Sequence, residues 1–178
     1  ELSDETAFTL TINPANDAPS LSGLDNAEID EDGVYTLELS GADVDGDVLT
    51  FQASLDGNGS VSIDGSILTV TPELNYNGDI LVTVIATDGQ LSDQTTFTLS
   101  VNSVNDAPVL STIDAQSIDE DTSLSLELSA VDVDNEDLTF SASGDNVSLN
   151  INNNILEVVP NPDYNGTVNI IVSVSDGE

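Results

Sequence analysis

Apolar residues recur at every second position in short runs along most of the chain. Tyr35, Leu37 and Leu39 alternate with polar neighbours, as do Leu49, Phe51 and Ala53, Leu68 with Val70, Ile80 with Val82 and Val84, and Phe97 with Leu99 and Val101. Side chains of an extended backbone point alternately to opposite faces, so a period of two predicts strands with one buried and one wet face. Turn words separate the runs, at Asp56-Gly57, Asp64-Gly65, Asn77-Gly78 and Asp88-Gly89, where these residues admit the backbone that tight turns need. No segment carries a convincing helical period. About seven short strands in roughly 90 residues predict an all-β antiparallel Greek-key β-sandwich.

The pattern occurs twice. Asn16-Asp17-Ala18-Pro19 returns as Asn105-Asp106-Ala107-Pro108, 89 positions later, and Ile29-Asp30-Glu31-Asp32 and Asp43-Val44-Asp45 return at 118–121 and 132–134. After a one-residue deletion the offset becomes 88, pairing Asn75-Tyr76-Asn77-Gly78 with Asp163-Tyr164-Asn165-Gly166 and Asp88-Gly89 with Asp176-Gly177. Phe8 pairs with Phe97, Phe51 with Phe140 and Tyr76 with Tyr164. Self-similarity at a fixed period marks a tandem array. Residues 1–12 read as the closing strand of a preceding repeat, 13–101 as a first repeat, and 102–178 as a second repeat lacking its closing strand.

Composition then narrows the chemistry. The 178 residues include 34 acidic side chains and no Lys, Arg, His or Cys, for a formal charge of −34. Nucleic acid and anionic membranes are excluded as partners, because both are held by Lys and Arg, and no apolar run approaches spanning length. Without His, Cys, Lys or Arg there is no imidazole base, thiol nucleophile, Schiff base or phosphate clamp, and zinc lacks its usual ligands. A paired-carboxylate glycosidase remains conceivable, but no insertion builds a cleft, and the chain is read as no enzyme. What remains is oxygen, the ligand set of a hard cation such as Ca2+. The acidic residues also fit a solvated, salt-adapted surface. Against that as the whole explanation, Asp17, Asp30, Glu31, Asp32, Asp43, Asp45 and Asp88 all recur as acids one repeat later. An EF-hand reading of Asp43 to Ser54 fails, since Gly46 is misplaced and Ser54 stands where Glu is needed.

The words Val104 to Pro108, Ile29 to Asp32, Ala42 to Asp47, Asn75 to Gly78, and Ala86 through Pro108 occur in an order that covers nearly the whole chain. In them the chain resembles the bacterial cadherin-like tandem repeats of giant surface adhesins, relatives of cadherin and dystroglycan-type cadherin-like domains. The resemblance implies tandem seven-stranded, cadherin-like (immunoglobulin-like) sandwiches with calcium between successive domains. Carried over word by word, it implies a junction of Glu31, Asn102, Asn105, Asp106, Asp132, Asp134 and Asp176. An equivalent half-site would comprise Asn16, Asp17, Asp43, Asp45 and Asp88, and Glu120 would be the counterpart of Glu31. The sequence departs from cadherins at Asn102 and Val104 of the linker and at the Asn-Tyr-Asn-Gly region, which removes one base carboxylate and leaves the number of ions open.

The implied role is a calcium-rigidified spacer of a long extracellular or cell-surface bacterial adhesin, matrix or biofilm fibre. The alternative is a calcium-dependent carbohydrate-binding or homophilic adhesion domain, with a glycan as partner. Tyr76 and Tyr164 are read as packing residues beside a glycine turn. Residues 2–12, LSDETAFTLTI, match 91–101, LSDQTTFTLSV, and the second repeat stops before its own copy of this strand. Two readings follow: a window on a longer array, or head-to-tail copies joined by strand complementation. Both predict that residues 2–12 stay out of the first sandwich, which already owns Phe97, Leu99 and Val101.

Overall fold

The computed structural model describes residues 2–135 and 137–178. Residue 1, part of the expected strand 1–12, lies outside the described residues. The chain divides into two compact units, residues 1–103 and 104–178. No helix occurs among the described residues, and none long and apolar enough to cross a membrane.

The first unit contains β1 (Ser20–Ser22), β2 (Ala27–Asp30), β3 (Tyr35–Glu38), β4 (Ser40–Ala42), β5 (Thr50–Leu55), β6 (Gly59–Asp64), β7 (Ile67–Pro72), β8 (Gly78–Thr87) and β9 (Ser92–Asn102). One sheet runs β2-β9-β8-β5, the other β3-β7-β6, and β1 pairs with β4. Leu39 links β3 to β4 by donating its N–H to the Ser66 carbonyl at 2.7 Å, so residues 35–42 act as one broken strand. β1 and β2 likewise form one strand that changes sheets. Counted this way, the nine segments occupy seven strand positions, as the turn spacing predicts.

One pairing departs from the wholly antiparallel expectation: β2 lies parallel to β9, with Ile29 opposite Val101. Seven strands that alternate in direction leave the first and last pointing the same way, so they pair parallel wherever the fold brings them together.

The period-two residues of both sheets meet in the core. Ile80, Val82 and Val84 of β8 and Phe97, Leu99 and Val101 of β9 are buried against Leu39, Leu68 and Val70. The Phe97 and Tyr35 rings lie 5.9 Å apart at 52°, and burial raises the Tyr35 phenol above its ordinary value. The Asn-Tyr-Asn-Gly word is a corner. Tyr76 donates its hydroxyl to the Asp79 carbonyl at 3.0 Å, and Gly78, at φ +136°, passes so close that a Cβ there would sit 2.9 Å from the Tyr76 hydroxyl. Tyr164 and Gly166 repeat the arrangement, with the hydroxyl on the Thr167 carbonyl at 3.3 Å. Tyr76 packs against the core of the first unit.

The second unit contains β10 (Val109–Leu110), β11 (Leu124–Glu127), β12 (Ala130–Val131), β13 (Thr139–Gly144), β14 (Val147–Asn152), β15 (Ile155–Pro160) and β16 (Ile170–Ser175). The sheet β11-β15-β14 copies β3-β7-β6, and β10-β12 copies β1-β4. The four-stranded sheet is represented by β13-β16 alone. Among the described residues of this unit nothing stands where β9 stands in the first. The consequences spread from there. Residues 116–119, the counterpart of β2, form no strand, and the ten residues of β8 shrink to six in β16. Only Leu128, Leu156 and Val158 are fully buried, while Ile170 and Val172 are only partly covered. Their counterparts Val82 and Val84 are at 0% exposure.

Candidate metal centres

Three loops at one end of the first unit carry one expected ligand set: the segment before β1 (Asn16, Asp17), the segment after β4 (Asp43, Asp45) and the turn after β8 (Asp88). Short acidic side chains fold these loops by capping their own backbone. Asp43 Oδ1 accepts the N–H of Asp45 at 2.9 Å and of Asp47 at 3.2 Å, and Asp88 Oδ1 accepts those of Gln90 and Leu91 at 2.6 Å each. The loops are then tied together. Asp17 donates its N–H to Asp45 Oδ2 at 2.8 Å, and the Asn16 amide donates to Asp88 Oδ2 at 2.8 Å.

The second unit repeats the ties between the loops. Asp106 donates its N–H to Asp134 Oδ2 at 2.7 Å, the Asn105 amide donates to Asp176 Oδ2 at 2.7 Å, and Asp132 Oδ1 accepts the Asp134 N–H at 2.9 Å. In both copies one oxygen of the first aspartate is left over. Asp43 Oδ2 and Asp132 Oδ2 are shielded from solvent and accept no hydrogen bond. A buried carboxylate oxygen without a donor is costly, and the chain holds no Lys, Arg or His to pair it.

Glu31 and Asn102 come together elsewhere, at the end of the first unit remote from Asp88, where the Glu31 N–H donates to the Asn102 carbonyl at 2.8 Å. Glu31 is the buried charged residue of that unit, 7% exposed. Glu120, its counterpart, is exposed and forms no part of the Asp132 loop cluster. The expected junction set is thus divided between the units, Glu31 and Asn102 in one, Asn105, Asp106, Asp132, Asp134 and Asp176 in the other. Among the described residues no group of three or more carboxylates converges closely enough to form a metal cage. The loops as they stand are organised by backbone and amide donors.

Sequence reasoning missed several members of this network. Asn135 donates its N–H to Asp132 Oδ1 at 2.8 Å and its amide to the Asp176 carbonyl at 3.1 Å. Asp93 receives the Leu21 N–H at 2.8 Å, fixing β1 beside β9. Asp32 receives the Asn75 N–H at 2.9 Å, and Asp121 the Asp163 N–H at 3.1 Å, so the Ile-Asp-Glu-Asp and Asn/Asp-Tyr-Asn-Gly words brace each other. For Asp32 with Asn75 and Asp121 with Asp163 the signal was their joint recurrence at the repeat offsets, whereas Asn135 stands where the first repeat has Gly46 and gave none.

The donors hold Asp88 below the ordinary aspartate value of 3.8, the Leu91 N–H most, then the Asn16 amide and the Gln90 N–H. The Asn105 amide and then the Glu178 N–H hold Asp176 below it likewise. A depressed folded value means that stability from each group is present above its unfolded value and lost as pH falls through the folded one. In chelator, acid unfolding should therefore include a component below about pH 3.8 that Asp88→Asn reduces in the first unit. Carbon-detected carboxyl titration should place the Asp88 midpoint below that of an unstructured aspartate, and an unshifted midpoint would refute the assignment.

A family model described as a bacterial Ig domain matches residues 16–101 and again 105–178. No curated protein matches the chain. Among solved structures, Drosophila N-cadherin EC1-4 is similar at 18% identity and a TM-score of 0.54, over 89% of this chain and 48% of that one. Human protocadherin-24 EC1-2 is similar at 18% identity and a TM-score of 0.51, over 87% of this chain and 93% of that one. An endo-fucoidan hydrolase of glycoside hydrolase family 107 is similar at 20% identity and a TM-score of 0.45, and the chain, covered to 91%, spans 29% of its length. Immunoglobulin-like and cadherin-like domains are typically non-enzymatic. With no helix among the described residues, two tandem sandwiches and a family match that takes in both, the chain belongs to the bacterial Ig domain family, in two successive copies.

Proposed function

We propose that the chain is a calcium-rigidified spacer segment of a long extracellular bacterial adhesin, matrix or fibre protein. The observation that carries this reading is the orphaned, buried oxygen of Asp43 and its exact repeat at Asp132. Each sits in a loop set supplied by three separate segments, in a chain whose charge is −34. Such oxygens suit a hard cation that accepts mixed carboxylate and carbonyl ligands. Bound calcium would neutralise local repulsion and stiffen the loops at the ends of the sandwiches. Asp43, Asp45 and Asp88 would hold it in the first unit, and Asp132, Asp134 and Asp176 in the second. The backbone donors already present hold these side chains in place, so that binding orders little that is not ordered beforehand.

Calorimetric titration with CaCl2 should show saturable binding that Asp43→Asn and Asp132→Asn each diminish. Parallel titrations with acidic and neutral polysaccharides in calcium should give no heat of binding. Absence of calcium binding would overturn the spacer reading. Calcium-dependent sugar binding would replace it with a lectin-like role at the same loops.

A further inference from the structure

The edge strands of the first sandwich differ in charge. β2 and β3 end the two sheets on one side, β5 and β6 on the other. β2 carries the exposed acids Glu28 and Asp30, and β3 the exposed Glu38. On the other side β5, Thr-Phe-Gln-Ala-Ser-Leu, has no charge, and β6 has only Asp64 at its end. The second unit repeats the contrast, with Glu127 on β11 and no charge on β13 or β14. In a chain with 34 acidic side chains among 178 residues, the same edge is thus left bare in both repeats. Edge strands expose unpaired N–H and C=O groups and are ordinarily blunted by charge, proline or a bulge. β5 has none of these, and its register with β8 runs unbroken over six residues.

We infer that β5 is an interaction surface for a second copy of the chain, which adds its own β5 antiparallel along this edge, and that β13 offers the same surface in the second unit.

The backbone decides which groups are free to pair. Asp56, directly after β5, donates its N–H to the Leu81 carbonyl at 3.2 Å. Along an antiparallel strand the backbone groups of alternate residues turn to the same side, so those of Thr50, Gln52 and Ser54 face β8 and those of Phe51 and Ala53 face outward. A two-fold axis through Gln52 then sets Phe51 of each copy opposite Ala53 of the other, as pairs that exchange both main-chain bonds. Gln52 meets its own copy amide to amide, in the closer, non-hydrogen-bonded position, and Thr50 meets Ser54. These three side chains are exposed, and such uncharged polar pairs favour cross-strand contact where like charges oppose it. On the inward face a large ring meets a methyl group, beside a shallow groove of about 330 Å3 lined by Gln52, Ala53, Val61, Ser62 and Ile63. The incoming Phe51 can use that room. In the second unit the same register sets Phe140 opposite Ala142 and Ser141 opposite its own copy. The strand is therefore complementary to itself, which selects a second copy over a foreign peptide.

Charge decides when the surface is used. Two chains at −34 each repel as wholes, and Asp47 and Asp56, which flank β5, approach one another across the pair. Association is thus latent at low ionic strength and released by screening. The contact is isologous, so each edge takes one partner, and it needs no bound metal. It stands or falls apart from the calcium reading.

Sedimentation velocity in chelator tests it. The 178-residue chain should be monomeric in 0.15 M NaCl and should associate with rising concentration in 1 M NaCl, where the screening length falls from about 8 Å to about 3 Å. In 1 M NaCl amide exchange at Phe51 and Ala53 should slow as concentration rises, while Gln52 and Ser54, already bonded to β8, should not change. Ala53→Pro with Ala142→Pro removes an outward N–H from each edge, a place where proline is tolerated, and should abolish association. Gln52→Glu with Ser141→Glu sets like charges opposite each other at exposed positions, and should weaken association severalfold at an unchanged melting temperature, whether or not the proline variant folds. A chain that stays monomeric at every concentration in 1 M NaCl would overturn the inference. So would association that leaves exchange at Phe51 and Ala53 unaltered, or that is undiminished in the glutamate variant.

Discussion

Phe97→Ala should cost the first unit about 3–5 kcal/mol, whereas Phe8→Ala in dilute solution should change stability by no more than about 0.5 kcal/mol. The two phenylalanines occupy the same word, Phe-Thr-Leu, at 8–10 and 97–99, with opposite surroundings. Phe97 is 2% exposed and packs against Tyr35 and the buried residues of β8, while Phe8 is 87% exposed. Removing the buried ring leaves a cavity that close-packed valines and leucines cannot fill without straining their rotamers. Against a typical total of about 5–15 kcal/mol for a small domain, that loss should leave the first unit partly unfolded in mild denaturant. Urea titrations followed separately in each unit check it. Equal effects of the two substitutions would mean that residues 2–12 compete with β9 for the first sandwich.

Calcium at about 100 times its dissociation constant should add roughly 2.7 kcal/mol per site to stability, seen as a rise in melting temperature over chelator at fixed ionic strength. The sign of one substitution should reverse with the metal. In chelator, Asp132→Asn removes a charge whose Oδ2 is buried without a hydrogen bond while keeping an oxygen for the Asp134 N–H, so it should be neutral or stabilising. In calcium the same change should lose the increment, because a neutral amide is a weaker ligand than a carboxylate. Scattering should show a chain that stiffens with calcium and not with NaCl of equal ionic strength. A melting temperature indifferent to calcium, or an Asp132→Asn variant equally destabilised with and without it, would sink the reading.

The local features of the fold were legible because they depend on neighbours along the chain. Alternation at Ile80, Val82 and Val84 marks a strand with one buried face whatever lies across it, and Asp-Gly words mark turns by backbone freedom alone. Exact recurrence at 89 and then 88 positions exposed the tandem units. The same recurrence grouped the loop residues Asn16, Asp17, Asp43, Asp45 and Asp88, whereas residues 2–12, which it marked as a strand, form none. A repeat preserves the spacing of partners that lie far apart in sequence.

Only the tertiary structure decided how those pieces meet. Period two says that β2 and β9 have buried faces and nothing about their pairing, which the direction of the first and seventh strands made parallel. Asp32 and Asn75 are 43 residues apart, and no local pattern announces a bond between them. The two oxygens of Asp43 are chemically equivalent in sequence, and packing alone gave one to backbone N–H groups and sealed the other from water. The sharpest case is Ile170. Its alternation is as regular as that of Val82, yet Val82 is fully buried and Ile170 is not, because burial is a property of the strand that lies across a residue, and that strand is contributed by distant sequence.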